Sequence, residues 1–242
     1  MANDLLYYVF LIVLAIVVAE ALWFGYCWAV TLYLSSKTVL YDKVIENPKI
    51  TIAMIGDSFV QGVGVEDSRN SFPGRLSQFF PDARVKVNAV RGVKLKHASS
   101  LITMTEEGEK WDTLVLFCGG MNIVDLTRKE KIREQLTSLL RHAKQHAKNV
   151  VYCSPGNAGI VPIFHFPFSL LYERRSKEFH AIATQVTEQE DVIFIGLFNE
   201  LTKSPLRNKL HLYASDFSHL NDKGMEVWFE NFKDVFSKLS RN

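Results

Sequence analysis

Five short apolar runs, separated by stretches with helical periodicity, constrain the fold of this chain more than any other feature. The runs are rich in β-branched residues and have the length of strands. Strands that alternate with helices along a chain form a parallel sheet covered by helices on both faces. The predicted strands span residues 50–55, 84–90, 113–118, 149–154 and 192–197, and the predicted helices lie near 71–80, 95–109, 128–148, 169–189 and 222–239.

The N-terminal segment, residues 5–34, is apolar and carries one charged side chain, Glu20. As a helix it would be about 45 Å long, against roughly 30 Å for the hydrocarbon core of a bilayer. A cleaved signal peptide is the alternative, but no Lys or Arg precedes the apolar run and no clear small-residue cleavage site follows it. We therefore predict a retained single-pass transmembrane anchor, in which Glu20 is protonated, paired with another group or simply tolerated.

The sequence therefore divides into three parts: an anchor helix at 5–34, a polar connector at 35–49 and one domain at 50–242. The side of the membrane on which the domain lies is poorly determined. Lys37 and Lys43 follow the anchor, which favours a cytoplasmic domain, but two basic residues do not decide the orientation.

Charge and cysteine content exclude several classes of function. The formal net charge is +2, too close to zero to predict a nucleic-acid partner. The three cysteines contain no C-x-x-C pair, which argues against a disulfide framework and against a zinc site.

Polar residues and glycines follow the predicted strands, at the edge of the sheet where parallel α/β folds bind ligands. The first strand is followed by Gly56-Asp57-Ser58 and the second by Gly92. Asn122 follows the third strand, and Asp216 and His219 lie in the segment after the fifth. We expect these residues to cluster.

The turn "GDSFVQGVG" is best explained by a nucleophile. It lacks the Lys of a phosphate-binding loop, and no second carboxylate lies nearby to complete a metal site. Serine needs a base to accept its proton, and that base needs a carboxylate to orient it. His219 and Asp216 supply both, three residues apart. The side chain of Asn122 and the backbone N–H groups of Ser58 and Gly92 are candidate donors to an oxyanion.

These residues resemble a known family. The segments "GDSFVQGVG", "NAVRG", "GGMN" and "DFSHLNDKG" look like the four ordered sequence blocks of the SGNH (GDSL-type) hydrolases, over about residues 50–230. The resemblance implies a flavodoxin-like three-layer α/β/α fold with a five-stranded parallel sheet, and hydrolysis of esters or thioesters. It assigns Ser58 as the nucleophile, Asp216 and His219 as its triad partners, and Gly92 and Asn122 to the oxyanion hole.

Two positions depart from the family pattern. The third block usually reads Gly-x-Asn-Asp, whereas Ile123 follows Asn122 here. Proline often follows the catalytic histidine, where this chain has Leu220. Both changes concern the geometry of the loops and remove no catalytic atom.

An apolar, aromatic stretch, "GIVPIFHFPFSLL" at 159–171, follows the fourth strand. We expect it to form a wall for an acyl chain or to dip into the bilayer, with Phe164 and Phe166 binding substrate. A loop that only covers the core is the alternative.

The sequence therefore predicts a membrane-anchored serine esterase that acts on small-molecule or lipid esters such as lysophospholipids. It implies no metal and no organic cofactor, and the membrane is contacted through the N-terminal helix. Two alternatives remain: a deacetylase of cell-envelope carbohydrate, and a catalytically idle domain that binds a lipid or a partner.

Overall fold

Five parallel strands form a single sheet in this computed structural model, which describes residues 2–105, 110–199 and 203–239. The strand bounds are β1 Ile50–Gly56, β2 Ala83–Ala89, β3 Trp111–Phe117, β4 Ala147–Cys153 and β5 Ile193–Ile195. The strands stand in the order β2-β1-β3-β4-β5. This is the order of a flavodoxin-like doubly wound sheet, so the predicted fold class is confirmed. The edge strand β5 is shorter than predicted and pairs only with β4.

Eight helices accompany the strands in the described part of the chain. Five of them, α3, α4, α6, α7 and α8, correspond to the helices that periodicity predicts, and residues 106–109 of the predicted 95–109 helix lie outside the described residues. The bounds are α1 Ala2–Lys37, α2 Ser58–Gln61, α3 Phe72–Phe79, α4 Leu95–Thr103, α5 Gly120–Val124, α6 Lys129–His146, α7 Phe168–Gln189 and α8 Asp222–Leu239.

The sheet separates two hydrophobic cores, one on each face. On one face α3 and α8 pack their aromatic side chains against β1 and β3, with the ring of Phe72 4.5 Å from that of Phe232. On the other face α4, α6 and α7 cover the sheet with buried aliphatic residues such as Leu101, Leu136 and Ile182. Burial on both faces explains why the strands read as nearly continuous apolar runs.

The long helix α1 has two halves with different surroundings. Residues 6–19 are exposed all round. From Glu20 onward one face packs against the domain, and its buried or partly buried residues recur every three or four positions, at Glu20, Trp23, Phe24, Cys27, Val30, Thr31, Leu34 and Ser35. The helix is long and apolar enough to cross a membrane by length and composition over Leu6–Lys37.

The connector after α1 is attached to the sheet. Lys43 forms two backbone hydrogen bonds with Val85, so the connector pairs with the outer edge of β2. The Asp42 carboxylate also accepts from the backbone N–H of Val87, at 3.1 Å. Both the second half of α1 and the connector are therefore held against the domain.

Candidate active site

Ser58 lies at the tip of a tight turn between β1 and α2, at the carboxyl end of the sheet. Gly56 ends the strand where any side chain would collide with the carbonyl oxygen of Phe117, 2.4 Å from an added Cβ. Asp57 then caps α2, because its carboxylate accepts from the backbone N–H of Phe59 at 3.0 Å. These two residues fix the turn and place Ser58 as the first residue of the helix.

Ser58, His219 and Asp216 form a continuous chain of hydrogen bonds. The Nε2 atom of His219 lies 2.8 Å from Ser58 Oγ, and its Nδ1 lies 2.5 Å from Asp216 Oδ2. Residue Gly64, with φ +98°, permits this approach, since an added Cβ there would lie 3.0 Å from the Cβ of His219. The three residues proposed from the sequence therefore meet in the arrangement of a nucleophile, its base and an orienting carboxylate.

The carboxylate of Asp216 is completely buried and accepts four hydrogen bonds. Its Oδ1 accepts from the backbone N–H groups of Ser218 and His219, both at 3.0 Å. Its Oδ2 accepts from the His219 ring and from the hydroxyl of Thr31 in α1, at 2.9 Å. Burial alone raises the pKa of Asp216, but hydrogen bonds from the side chain and backbone of His219 and from Ser218, with the charge of His219, outweigh burial and lower the pKa to about 2. The group therefore stays ionised throughout the neutral range.

Asp57 differs from Asp216 although both carboxyls are buried. Burial raises the pKa of Asp57 to about 6, because the lowering effects of the Phe59 amide and of the His219 charge are smaller than the cost of removing the carboxylate from water. Ionised Asp57 therefore destabilises the folded state, although its carboxylate caps the turn that carries Ser58.

The structure does not bring the side chain of Asn122 to Ser58. Its Oδ1 accepts from the backbone N–H of Leu95 at 3.0 Å, and its Nδ2 donates to Thr127 Oγ1 and Gln135 Oε1 at 3.4 and 3.2 Å. The amide nitrogen thus has two acceptors other than an oxyanion at Ser58. The prediction that this amide belongs to the oxyanion hole is not supported by the geometry.

Met121, the residue before Asn122, lines the cavity beside Ser58. Its Cγ would lie 3.9 Å from a Cβ built on Gly92, which also lines the cavity and has φ +74°. Moving the motif Gly-x-Asn-Asp one residue earlier puts Met121 at the position of its Asn and Asn122 at that of its Asp. The structure favours this register, which leaves the backbone N–H groups of Ser58 and Gly92 as candidate oxyanion donors.

A cavity of about 800 Å³ opens beside Ser58 and His219. Its walls come from several parts of the chain and are mainly apolar. They include Phe24 and Trp28 of α1, Phe117 at the end of β3, and Ile160, Ile163 and Phe164 of the apolar stretch. Arg91 also lines this wall, and its guanidinium stands over the Trp28 ring at 5.1 Å. The site can therefore take a largely apolar ligand next to the nucleophile.

The two phenylalanines predicted to bind substrate lie in different places. Phe164 lines the cavity and packs on Tyr172, with ring centroids 4.2 Å apart. Phe166 is 78% exposed and does not line this cavity. Within the apolar stretch, Phe164 therefore lies next to the site, whereas Phe166 faces outward.

The same stretch contacts α1. Glu20 lies 3.1 Å from Nδ1 of His165, and the indole N–H of Trp23 donates to the carbonyl of Ile163 at 3.2 Å. The partner of Glu20 is therefore in the domain, one of the possibilities left open by the sequence.

Trp28 and Thr31 border the site but were not identified as site residues from the sequence. The only signal for Thr31 is that it is the one threonine in an apolar segment.

Comparison with known proteins gives a family and a fold for the chain. Residues 54–227 match the model of the GDSL-like lipase/acylhydrolase family. No curated protein sequence matches the chain. Among solved structures it is similar to TesA, with 16% identity and a TM-score of 0.62 over 78% of this chain and 99% of that one.

Two esterases are also similar in structure. The psychrotrophic esterase EstA from Pseudoalteromonas sp. has 16% identity and a TM-score of 0.60, over 80% of this chain and all (100%) of that one. A catalytic mutant of Axe2, an acetylxylan esterase from Geobacillus stearothermophilus, has 15% identity and a TM-score of 0.57, over 78% and 94%. At such identities the likeness concerns the fold.

The position of Asn122 generates a prediction about activity. In Asn122→Asp the new carboxylate still accepts from Leu95, and Thr127 and Gln135 can each turn a donor toward it. We expect less than about a tenfold change in kcat for ester hydrolysis, whereas loss of an oxyanion donor costs about a hundred- to a thousandfold. In the companion variant Asn122→Ala the Leu95 N–H is left unpaired, and the free energy of unfolding should fall by about 1–3 kcal/mol. A loss of kcat in Asn122→Asp as large as that of an oxyanion donor would restore the original assignment.

The raised pKa of Asp57 generates a prediction about stability. Because the folded state disfavours the ionised form, wild-type stability should fall as the pH rises through the interval from about 4 to about 6. Asn at the cap keeps an acceptor but does not ionise. From pH 4 to pH 8 the wild type should therefore lose about 2 kcal/mol more unfolding free energy than Asp57→Asn. Urea unfolding at the two pH values measures this difference, and exposed Asp191→Asn is the matched control. Equal pH dependence of wild type and Asp57→Asn would contradict the prediction.

Proposed function

The chain belongs to the GDSL-like lipase/acylhydrolase family, and we propose that it is a membrane-anchored serine hydrolase that cleaves lipid-like acyl esters or thioesters. The observation that carries this proposal is the hydrogen-bonded chain from Asp216 through His219 to Ser58, which opens into a large and mainly apolar cavity. The chain of hydrogen bonds supplies the chemistry, and the cavity indicates an apolar acyl group.

The proposed reaction has two halves. Ser58 Oγ attacks the acyl carbonyl while Nε2 of His219 accepts the hydroxyl proton, and buried Asp216 stabilises the imidazolium that results. The N–H groups of Ser58 and Gly92 are proposed to bind the oxyanion. His219 then gives its proton to the leaving alcohol or thiol, which leaves an acyl group on Ser58. In the second half, water attacks this acyl-enzyme with His219 again as the base, and the acid is released.

The position of α1 supports a site at the surface of a bilayer. The part of the helix before Glu20, residues 2–19, would be about 27 Å long, close to the roughly 30 Å of hydrocarbon. Beyond it the helix packs on the domain, starting at Glu20. Exposed apolar side chains of the loop and of α7, Phe166, Leu170 and Leu171, lie in the segment that contacts this junction. We propose that they dip into the membrane and that the acyl chain enters the cavity from there.

Two alternatives are less favoured by the site. A deacetylase of cell-envelope carbohydrate has a parallel in the acetylxylan esterase, which is similar in fold. A sugar, however, needs polar walls, and those of this cavity are mainly apolar. A catalytically idle domain would have no need for the closely spaced hydrogen bonds between Ser58, His219 and Asp216.

The first test is hydrolysis of p-nitrophenyl esters, from acetate to palmitate, by the full chain in detergent. For the wild type we expect kcat/KM to rise roughly fourfold per methylene while the chain is being buried in the cavity, since each buried methylene contributes about 0.8 kcal/mol. In Ser58→Ala kcat should fall by at least about a thousandfold. Ser100→Ala, an exposed serine on α4, is the control.

Each other outcome selects a different function. Preference for acetate over longer chains would favour the carbohydrate deacetylase. Absence of turnover, together with no labelling of Ser58 by an alkyl fluorophosphonate, would favour the idle domain.

The separate positions of Phe164 and Phe166 generate a second test. Because Phe164 lines the cavity, Phe164→Ala should lower kcat/KM for long acyl esters by roughly tenfold, on soluble and on vesicle-bound substrate alike. Because Phe166 is exposed, Phe166→Asp should weaken only binding and hydrolysis at vesicles. Vesicle co-sedimentation and the ester assay measure the two effects. If Phe166→Asp bound vesicles as tightly as the wild type, the proposed insertion of this loop would be wrong.

A further inference from the structure

The helix α1 contacts the loop that carries the triad at two separate points. Thr31 Oγ1 lies 2.9 Å from Oδ2 of Asp216, and this contact is buried. Eight residues earlier in the helix, the ring of Trp23 packs on Phe217, with centroids 5.0 Å apart. The two contacted residues of the loop, Asp216 and Phe217, are consecutive and lie just before His219. A tether that only retained the domain at a membrane would not need either contact.

Phe217 shows that the loop depends on support from outside. Its φ is +55°, in the left-handed region that a bulky residue adopts only at a cost in conformational energy. Its carbonyl accepts from the backbone N–H of Ile163, and its ring is covered by Trp23. The backbone on which Asp216 and His219 are mounted is therefore held by α1 and by the apolar stretch, in addition to its own hydrogen bonds.

The hydroxyl of Thr31 has one proton and two acceptors within reach. Its Oγ1 lies 3.0 Å from the carbonyl of Cys27, the usual acceptor for a threonine inside a helix, and 2.9 Å from the Asp216 carboxylate. The Cys27 carbonyl is already the acceptor of the helical backbone N–H of Thr31. The carboxylate is fully buried and charged, so it gains more from a donor than the carbonyl does. The proton of Thr31 therefore belongs to Asp216.

We infer that α1 is part of the catalytic machinery: Thr31 is a positioning residue that holds the Asp216 carboxylate in line with His219, so that the site is complete only when α1 is docked. This inference rests on the proposed function of the triad. It assigns to the membrane helix a second task besides anchoring. The cavity shares this dependence, because Phe24, Gly25 and Trp28 of the same helix form one of its walls.

A change at Thr31 should alter the behaviour of His219 as well as the rate. The charged or titratable groups that face this pair are Asp57, on the side of the nucleophile, and the Cys27 thiol, one turn before Thr31. Without the Thr31 hydroxyl, one donor fewer stabilises the negative charge of Asp216. This charge therefore holds the proton on His219 more strongly. The acidic limb of the pH–rate profile, which reports the loss of that proton, should therefore move to higher pH.

The test is the rate at which an alkyl fluorophosphonate labels Ser58 in the full chain in detergent, measured from about pH 5 to about pH 9. In this reaction a bond forms between Ser58 Oγ and phosphorus, fluoride leaves, and the hydroxyl proton goes to His219. The variants are Thr31→Val, which keeps the shape, Thr31→Ala, which also removes a methyl group, and Thr31→Ser, which keeps the hydroxyl. Leu32→Val, at the exposed neighbouring position, controls for a β-branched change in the helix.

We expect Thr31→Val and Thr31→Ala to label about tenfold more slowly than the wild type, the effect of one charge-assisted hydrogen bond. Their acidic limb should lie at higher pH, while Thr31→Ser and Leu32→Val should resemble the wild type in both respects. If Thr31→Val does not fold, Thr31→Ala and Thr31→Ser give the same comparison.

Three results would overturn the inference. Unchanged rate and pH profile in the variants without the hydroxyl would show that Thr31 does not position Asp216. Equal loss in Thr31→Ser and Thr31→Val would show that packing, and not the hydroxyl, matters. No labelling of the wild type would overturn the proposed function, and the inference with it, so the two failures are distinct.

Discussion

The burial of the Asp216 carboxylate is the constraint on which the rest of the site depends. A charge removed from water is tolerated only when donors replace the water, and here four donors do so. Two of them are backbone N–H groups that fold the loop around the carboxylate, one is the ring that must face Ser58, and one comes from α1. The conformation of the loop, the orientation of His219 and the docking of the helix thus all contribute donors to the same carboxylate.

The sheet explains why these groups meet. In the order β2-β1-β3-β4-β5 the chain reverses its direction of progress between β1 and β3, and this switch point leaves a crevice at the carboxyl ends of the strands. Ser58 follows β1 and Met121 follows β3, so both border the crevice. The segment with Asp216 and His219 closes it from the other side, and α1 adds the outer wall. Ser58 and Met121 are far apart in the sequence and border the same crevice because each follows a strand that the sheet aligns.

Apolar periodicity and short motifs allow part of the fold and of the site to be predicted from the sequence. The strands and the five large helices of the domain follow from apolar spacing, and the triad residues follow from the turn "GDS" and from the spacing of Asp216 and His219. The register of the third block is ambiguous by one residue, because a four-residue motif carries no periodicity that would fix whether Met121 or Asn122 stands at the position of its Asn. The contact of Thr31 with Asp216 joins residues 185 positions apart and has no local signal. The short helices α2 and α5 were missed because they span only one turn each.

Hydropathy describes α1 as one uniform apolar segment, yet its two halves have different surroundings. Apolar residues suit lipid and a protein interior equally, so composition alone does not separate a membrane contact from a packing contact. The docked half keeps exposed aromatic residues, Tyr26 and Tyr33 away from the cavity and Trp28 beside it. Tyr and Trp favour the boundary between lipid and water. In the proposed arrangement this places the docked half, and with it the cavity mouth, at the depth where the ester bonds of membrane lipids lie.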